Sequence, residues 1–234
     1  MEEIGQNVQA VRERLRRASE RWGRAPELIA VSKTVEPARV NLLKGTGVTQ
    51  LGENRVQEIL EKFPFLDASF AIHQIGQLQT NKVKYIIDKV CMVQSLDRES
   101  LAQEIDRRAQ QCGRRMPVLL QVNIGHEPQK GGMEPEAVLP FARAHAAWSG
   151  LEIQGLMAVM PNTRDETVLR PLFRRMRALF EQLREEALDG TRIEHLSMGM
   201  SADFELAAQE GSTMVRVGSA IFGNRHYPEQ TNRI

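Results

Sequence analysis

Apolar positions in the first two dozen residues fall three and four apart: Ile4, Val8, Val11, Leu15, Ala18 and Trp22. Arg12, Arg14, Arg16, Arg17 and Arg21 fill the spaces, so the spacing predicts an amphipathic helix over 4–22 with a solvated basic face. The period then changes. Short apolar runs at 28–33, 49–53, 71–76, 91–96, 117–124, 151–159, 192–198 and 214–223 each read as a strand. Helical patterns start between them, near Pro37, Arg55, Asn81, Arg98, Pro135, Asp165 and Ala202. Cap or first-turn residues are expected at Glu36-Pro37, Thr80-Asn81, Asp97 and Ser201.

Strand, helix, strand implies parallel pairing through right-handed crossovers. Eight such strands in 234 residues predict one α/β domain over 1–234, a TIM (β/α)8 barrel with an extra N-terminal helix. An open doubly wound sheet competes, weakened by the lack of a G-x-G-x-x-G after the first strand.

Composition changes this picture little. Hydrophobic residues at 41% and charged residues at 26% are globular values, and the length supports a core without disulfide or metal staples. Lys plus Arg total 31 against 30 Asp plus Glu, so no whole-protein field draws in nucleic acid or an anionic membrane, and any anion must be held locally. Cys91 and Cys112 fit neither a zinc pattern nor a disulfide framework and suit a reducing compartment. The start lacks the apolar region of a signal peptide, and nowhere do 18 apolar residues run together, so the cytoplasm is the expected location.

A TIM barrel gathers its functional residues where strands end at the C-terminal mouth, often with phosphate held after strands 7 and 8. Lys33 directly follows the apolar run Leu28 to Val31, so its amine is expected at the mouth, partly desolvated, where neutral amine becomes available for an imine with a carbonyl. A strand-end lysine that snorkels to solvent or pairs with Glu53 is the plainer reading. Ser197 to Ser201 forms a small-residue turn opening a helix, with Ser201 at the expected N-cap, and Gly218-Ser219 makes a second turn one strand on. Each alone is an ordinary tight turn; beside a lysine on the neighbouring strand 1 they suggest a phosphate cradle. Pyridoxal 5′-phosphate, with phosphate at one end and aldehyde at the other, would span them. Arg216, two residues before Gly218 and on the same strand face, could point at its pyridine nitrogen or could pair with a carboxylate inside the barrel.

The segments LIAVSKTVEP, LGENRVQE, IGQLQTNKVK, VQSLD, QVNIGHEPQKGG, GLMAVMP and LSMGMSADFELAAQEGSTMVRVGSAIFG occur in this order over about 28–225. Together they resemble the pyridoxal phosphate homeostasis protein family, single-domain relatives of the alanine racemase N-terminal barrel. The resemblance implies a TIM barrel in which Lys33 forms the internal aldimine. It also implies that Ser201, Gly218 and Ser219 hold the phosphate, that Arg216 faces the pyridine nitrogen and that Asn54 lies beside the cofactor. It assigns no metal and no catalytic residue. The segment Ile72-His73-Gln74-Ile75-Gly76-Gln77 departs from the family pattern, which carries aromatics where Ile72 and Gln74 stand and a His where Gln77 stands. That puts the lining of one side of the mouth in question. Ser219 replaces the threonine of many relatives and keeps the hydroxyl.

Two functions follow from these residues. One is a monomeric carrier that supplies or buffers the cofactor, with pyridoxal-phosphate-dependent apoenzymes as partners. The other is a racemase or decarboxylase, which needs a second acid/base on the opposite cofactor face; related racemases take theirs from another domain, and here only His226 or Tyr227 in the tail could fold back to serve. A Schiff-base aldolase would use a lysine but would not need Arg216 or the paired turns.

Overall fold

Inward and outward positions alternate cleanly along the first strand, β1 (Glu27–Val31). In the computed structural model, which describes residues 2–127 and 129–223, Ile29 turns into the barrel while Leu28 and Ala30 pack outward against helices. Seven more strands repeat this: β2 (Gln50–Glu53), β3 (Ala71–Gln74), β4 (Met92–Leu96), β5 (Met116–Val122), β6 (Leu151–Ala158), β7 (His195–Met200) and β8 (Met214–Val217). They pair in parallel in chain order and close, with Ile29 of β1 opposite both Gln50 of β2 and Arg216 of β8. The expected (β/α)8 barrel is what forms.

Around it lie α1 (Glu2–Ala18), α2 (Pro37–Val40), α3 (Val56–Lys62), α4 (Val83–Ile86), α5 (Glu99–Gln111), α6 (Val138–His145), α7 (Glu166–Glu185), α8 (Phe204–Gln209) and α9 (Ser219–Phe222). The interior holds Ile29, Met92, Leu119, Met157 and Met214; larger apolar layers fill the space between strands and helices. Ile4, Val8, Val11 and Leu15 of α1 are buried with Phe204, Ile221 and Phe222, a stripe contributing about 2 kcal/mol per side chain. No helix among the described residues is long and apolar enough to cross a membrane.

Several boundaries differ from expectation, each for a local reason. Helix α1 stops at Ala18, where the Ser19 hydroxyl donates to the Leu15 carbonyl at 2.7 Å, and a 3-10 turn carries Glu20–Trp22. The run 214–223 divides at Gly218 into β8 and α9, because Ile221 and Phe222 of the short helix are buried as deeply as strand residues. Arg98, not Asp97, sits at the N-cap of α5, and Asp97 accepts from the Arg98 guanidinium at 2.6 Å. Thr80 opens a 3-10 turn, Thr80–Lys82, rather than capping a helix at Asn81.

Candidate functional site

All six site residues expected from sequence, Lys33, Asn54, Ser201, Arg216, Gly218 and Ser219, line a single cavity of about 610 Å³ at the C-terminal mouth. Val31 and Lys33 reach it by the alternation of β1, and Lys33 is half-buried. The two small-residue turns are tied together, since the Gly218 N–H donates to Ser201 Oγ at 3.1 Å. With that oxygen accepting, the serine's own hydrogen is left to donate elsewhere.

Ser201 is not the N-cap of α8, as expected; Asp203 is. β7 runs two residues past its expected end, to Met200, where the Met200 N–H donates to Asp203 Oδ1 at 2.6 Å and the Asp203 N–H to the Met200 carbonyl at 3.1 Å. That closed turn lifts Ser201 out of the helix start and onto the cavity wall. Gly199 makes the approach close: its φ is +95°, and a Cβ there would lie 2.5 Å from that of Ala207.

Arg216 is buried and does not form the carboxylate pair considered as its plainer role. One guanidinium nitrogen donates to Ser197 Oγ at 2.6 Å and another to the Ala158 carbonyl at 2.8 Å. Burial pushes its pKa down to about 10, opposed by the Asp203 charge, so it stays cationic at neutral pH. Behind it a polar chain crosses the barrel interior. Ser197 Oγ donates to Gln94 Oε1 at 2.7 Å, Gln94 Nε2 lies 2.9 Å from His73 Nδ1, and His73 Nε2 lies 2.8 Å from Gln50 Oε1. The Gln94 amide must donate, so His73 Nδ1 accepts and Nε2 carries the proton. Burial, with a smaller push from the His195 charge, lowers the His73 pKa to about 4 and keeps the ring neutral.

The departures from the family pattern have a structural reading. Gln74 does not line the cavity; its amide nitrogen donates to the Asn54 carbonyl at 3.1 Å and the Gly76 carbonyl at 2.9 Å, fastening the ends of β2 and β3 together. Gly76 is required there, because a Cβ would meet the Asn54 carbonyl oxygen at 2.4 Å. Gln77 does line the cavity, beside Gly131.

Sequence reasoning missed Lys130, Gln121 and Asn162, which also line it. Lys130 donates to the Glu127 carboxylate and to the Met160 carbonyl. Its signal was the following Gly131-Gly132: Gly132 has φ +124°, and a Cβ there would strike Asn123 N at 2.7 Å, so only glycine lets the loop fold back. Lys62 of α3 is buried. Its ammonium contacts Glu53, the partner considered for Lys33, at 2.9 Å. His226 and Tyr227 lie outside the described residues.

Among the described residues that line the cavity, the titratable groups are Lys33, Lys130 and Arg216, all basic. Two serine hydroxyls and the N–H groups opening α9 add donors. This donor set fits a dianionic phosphate, and the amine fits an aldehyde, so the residues present suit pyridoxal 5′-phosphate. Both cysteines are free, and no group of three or more potential metal ligands occurs among the described residues.

Comparison with known proteins gives the same direction. The family described as alanine racemase, N-terminal domain, matches residues 6–226. The pyridoxal phosphate homeostasis protein of Aquifex aeolicus is 42% identical over 226 residues, covering 95% of this chain and 98% of that protein. The structure of PipY from Synechococcus elongatus PCC7942 with PLP bound superposes with a TM-score of 0.84 at 31% identity, over 94% of this chain and all of that one. Alanine racemase of Clostridium difficile shares the fold, with a TM-score of 0.75 at 16% identity over 98% of this chain and 61% of its own.

Proposed function

The chain belongs to the pyridoxal phosphate homeostasis protein family, and from that premise we propose that it binds pyridoxal 5′-phosphate and supplies or buffers it for cytoplasmic apoenzymes, acting as a monomer. The observation that carries this reading is the convergence of Lys33, Arg216 and the coupled Ser201 and Gly218-Ser219 turns on one cavity. Ser201, Ser219 and the opening N–H groups of α9 bind the phosphate. Arg216, fixed by Ser197 and Ala158, presents a cation toward the pyridine nitrogen and so disfavours a proton there. Asn54 lines the side wall. When bound, the cofactor supplies an aldehyde that condenses with a primary amine and releases water. Lys33 is the amine assigned to that role, since it follows β1, the strand that pairs with β8 and its Gly218-Ser219 turn, and lines the cavity with them.

The same lining argues for holding over turnover. Racemisation needs a second proton-transfer group across the cofactor, and the described lining carries no Asp, Glu, His, Tyr or Cys. An arginine facing the pyridine nitrogen also weakens the ring as an electron sink. The test has two parts. Borohydride treatment of the loaded protein should fix the cofactor on the Lys33 peptide and on nothing in Lys33→Ala, which keeps weak binding through the phosphate turns. The loaded protein should also restore a cofactor-stripped aminotransferase while turning over amino acids at less than about one per second, the low end of ordinary enzyme rates. Trapping on another lysine, or faster turnover, overturns the reading.

A further inference from the structure

The buried cluster beneath the Lys33 turn has no role in the binding described above. Lys62 of α3 lies only 7% exposed, and Glu53 at the end of β2 is fully buried. The Lys62 ammonium makes three contacts: the Ser32 carbonyl at 2.7 Å, Glu53 Oε1 at 2.9 Å and Glu58 Oε2 at 3.2 Å. Glu53 Oε1 also accepts from the Ser32 hydroxyl at 2.7 Å, and Glu58 Oε2 accepts from the Thr34 backbone N–H, again at 2.7 Å. Ser32 and Thr34 are the two neighbours of Lys33.

Thr34 has φ +64°, a left-handed conformation that a β-branched residue adopts only under restraint. The restraint is Glu58, itself held by Lys62. A buried ion pair adds little stability over an apolar pair of the same shape, so packing alone does not account for these charges. Their convergence on both flanks of one residue does. The cluster is also a partition: Lys33 lines the mouth cavity, whereas Thr34, Glu58 and Lys62 line a separate cavity of about 620 Å³ between α2 and α3.

We propose that Lys62 is a positioning residue, acting through Glu53 and Glu58 to clamp the Ser32–Thr34 turn so that the Lys33 amine is aimed into the cavity. The proposal rests on the cofactor reading and concerns how Lys33 is delivered, not whether phosphate binds. It separates two quantities that a general loss of structure would move together. One is capture of pyridoxal 5′-phosphate at Lys33, followed by the rate and final yield of borohydride-fixed peptide. The other is affinity for pyridoxine 5′-phosphate, which carries the ring and phosphate but no aldehyde, measured by calorimetry.

Glu58→Ala leaves Lys62 with Glu53 and the Ser32 carbonyl, and removes the Thr34 tether together with the 3.2 Å contact to Lys62. It should slow capture about tenfold or more, as small misplacements of reacting groups do, with pyridoxine 5′-phosphate affinity within about twofold of the parent. Glu58→Gln keeps an oxygen for the Thr34 N–H and should restore capture. Lys62→Met strands the Glu53 carboxylate and threatens folding, so the hub is tested in the double variant Glu53→Gln/Lys62→Met, expected to fold and to show the same split. Parent-like capture in both Glu58→Ala and the double variant overturns the clamp alone, as does an equal fall in capture and pyridoxine 5′-phosphate affinity. Failure of the parent protein to be trapped at Lys33 overturns the cofactor reading and the clamp with it.

Discussion

Acidification should strip stability from the barrel interior through one side chain. His73 sits neutral between the Gln94 amide and the Gln50 oxygen, with its pKa lowered from 6.5 to about 4 by burial. In the unfolded chain the ring protonates near 6.5 while in the fold it resists, so protons favour the unfolded state across that interval. The contribution is present in full above pH 6.5, falls as pH drops, and is gone below the folded pKa of about 4. That interval corresponds to about 3 kcal/mol, a large fraction of the roughly 5–15 kcal/mol that stabilises ordinary proteins. Forced protonation would also set the new Nδ1 proton against the Gln94 amide hydrogens, reversing that amide and taking from Ser197 the oxygen to which it donates. The assay is urea unfolding of the parent and of His73→Gln at pH 7, 6, 5 and 4. Other groups titrate in both proteins, so the stability difference between them isolates His73. It should shrink by about 3 kcal/mol from pH 7 to 4. A difference flat to within about 0.5 kcal/mol would show an ordinary imidazole and refute the lowering of the His73 pKa by burial.

Three more outcomes are open to measurement. Replacing Ser201 and Ser219 together by Ala should weaken pyridoxal 5′-phosphate binding by about 2–4 kcal/mol, taking 1–2 for each bond to a charged oxygen, and equilibrium dialysis would read it. Gly76→Ala should lower both thermal stability and cofactor affinity, because its Cβ would drive Asn54 from the position it holds on the cavity wall; overpacking of this kind costs about 1–3 kcal/mol. At pH 8 an aromatic disulfide reagent should titrate about one thiol in the native protein, the exposed Cys112, and two after unfolding. Burial raises the Cys91 thiol to about 12, so two fast thiols in the native protein would contradict its placement.

The barrel was legible in the chain because eight apolar runs alternate with helical patterns, and the candidate site in part, because strand position brings Lys33, Arg216 and Gly218 to the mouth without deciding their roles. What escaped was whatever depends on side chains meeting across elements. Lys62 reads as a helix-surface charge until β2 brings Glu53 beneath it. Ser201 satisfies every local rule for an N-cap, yet the Met200–Asp203 turn claims that place through a contact no window of sequence reveals. Lys130 needed the return of a ten-residue loop, a tertiary event that Gly131-Gly132 permits but does not announce. Gln74 looked like a lost aromatic in the pocket and is instead a fastening between two strand ends.

The polar chain from Arg216 through Ser197, Gln94 and His73 to Gln50 has every donor facing away from the mouth. Such an array is electrically ordered, each bond polarising the next. It is also a poor wire for protons. A relay must let each member accept a proton on one side and surrender one on the other, and the Gln94 carboxamide cannot do this without becoming a high-energy tautomer. The barrel floor is thus an insulator: charge on Arg216 is felt along the chain, but no proton drains through it. Whatever occupies the cavity therefore exchanges no proton with the far side of the barrel along this chain.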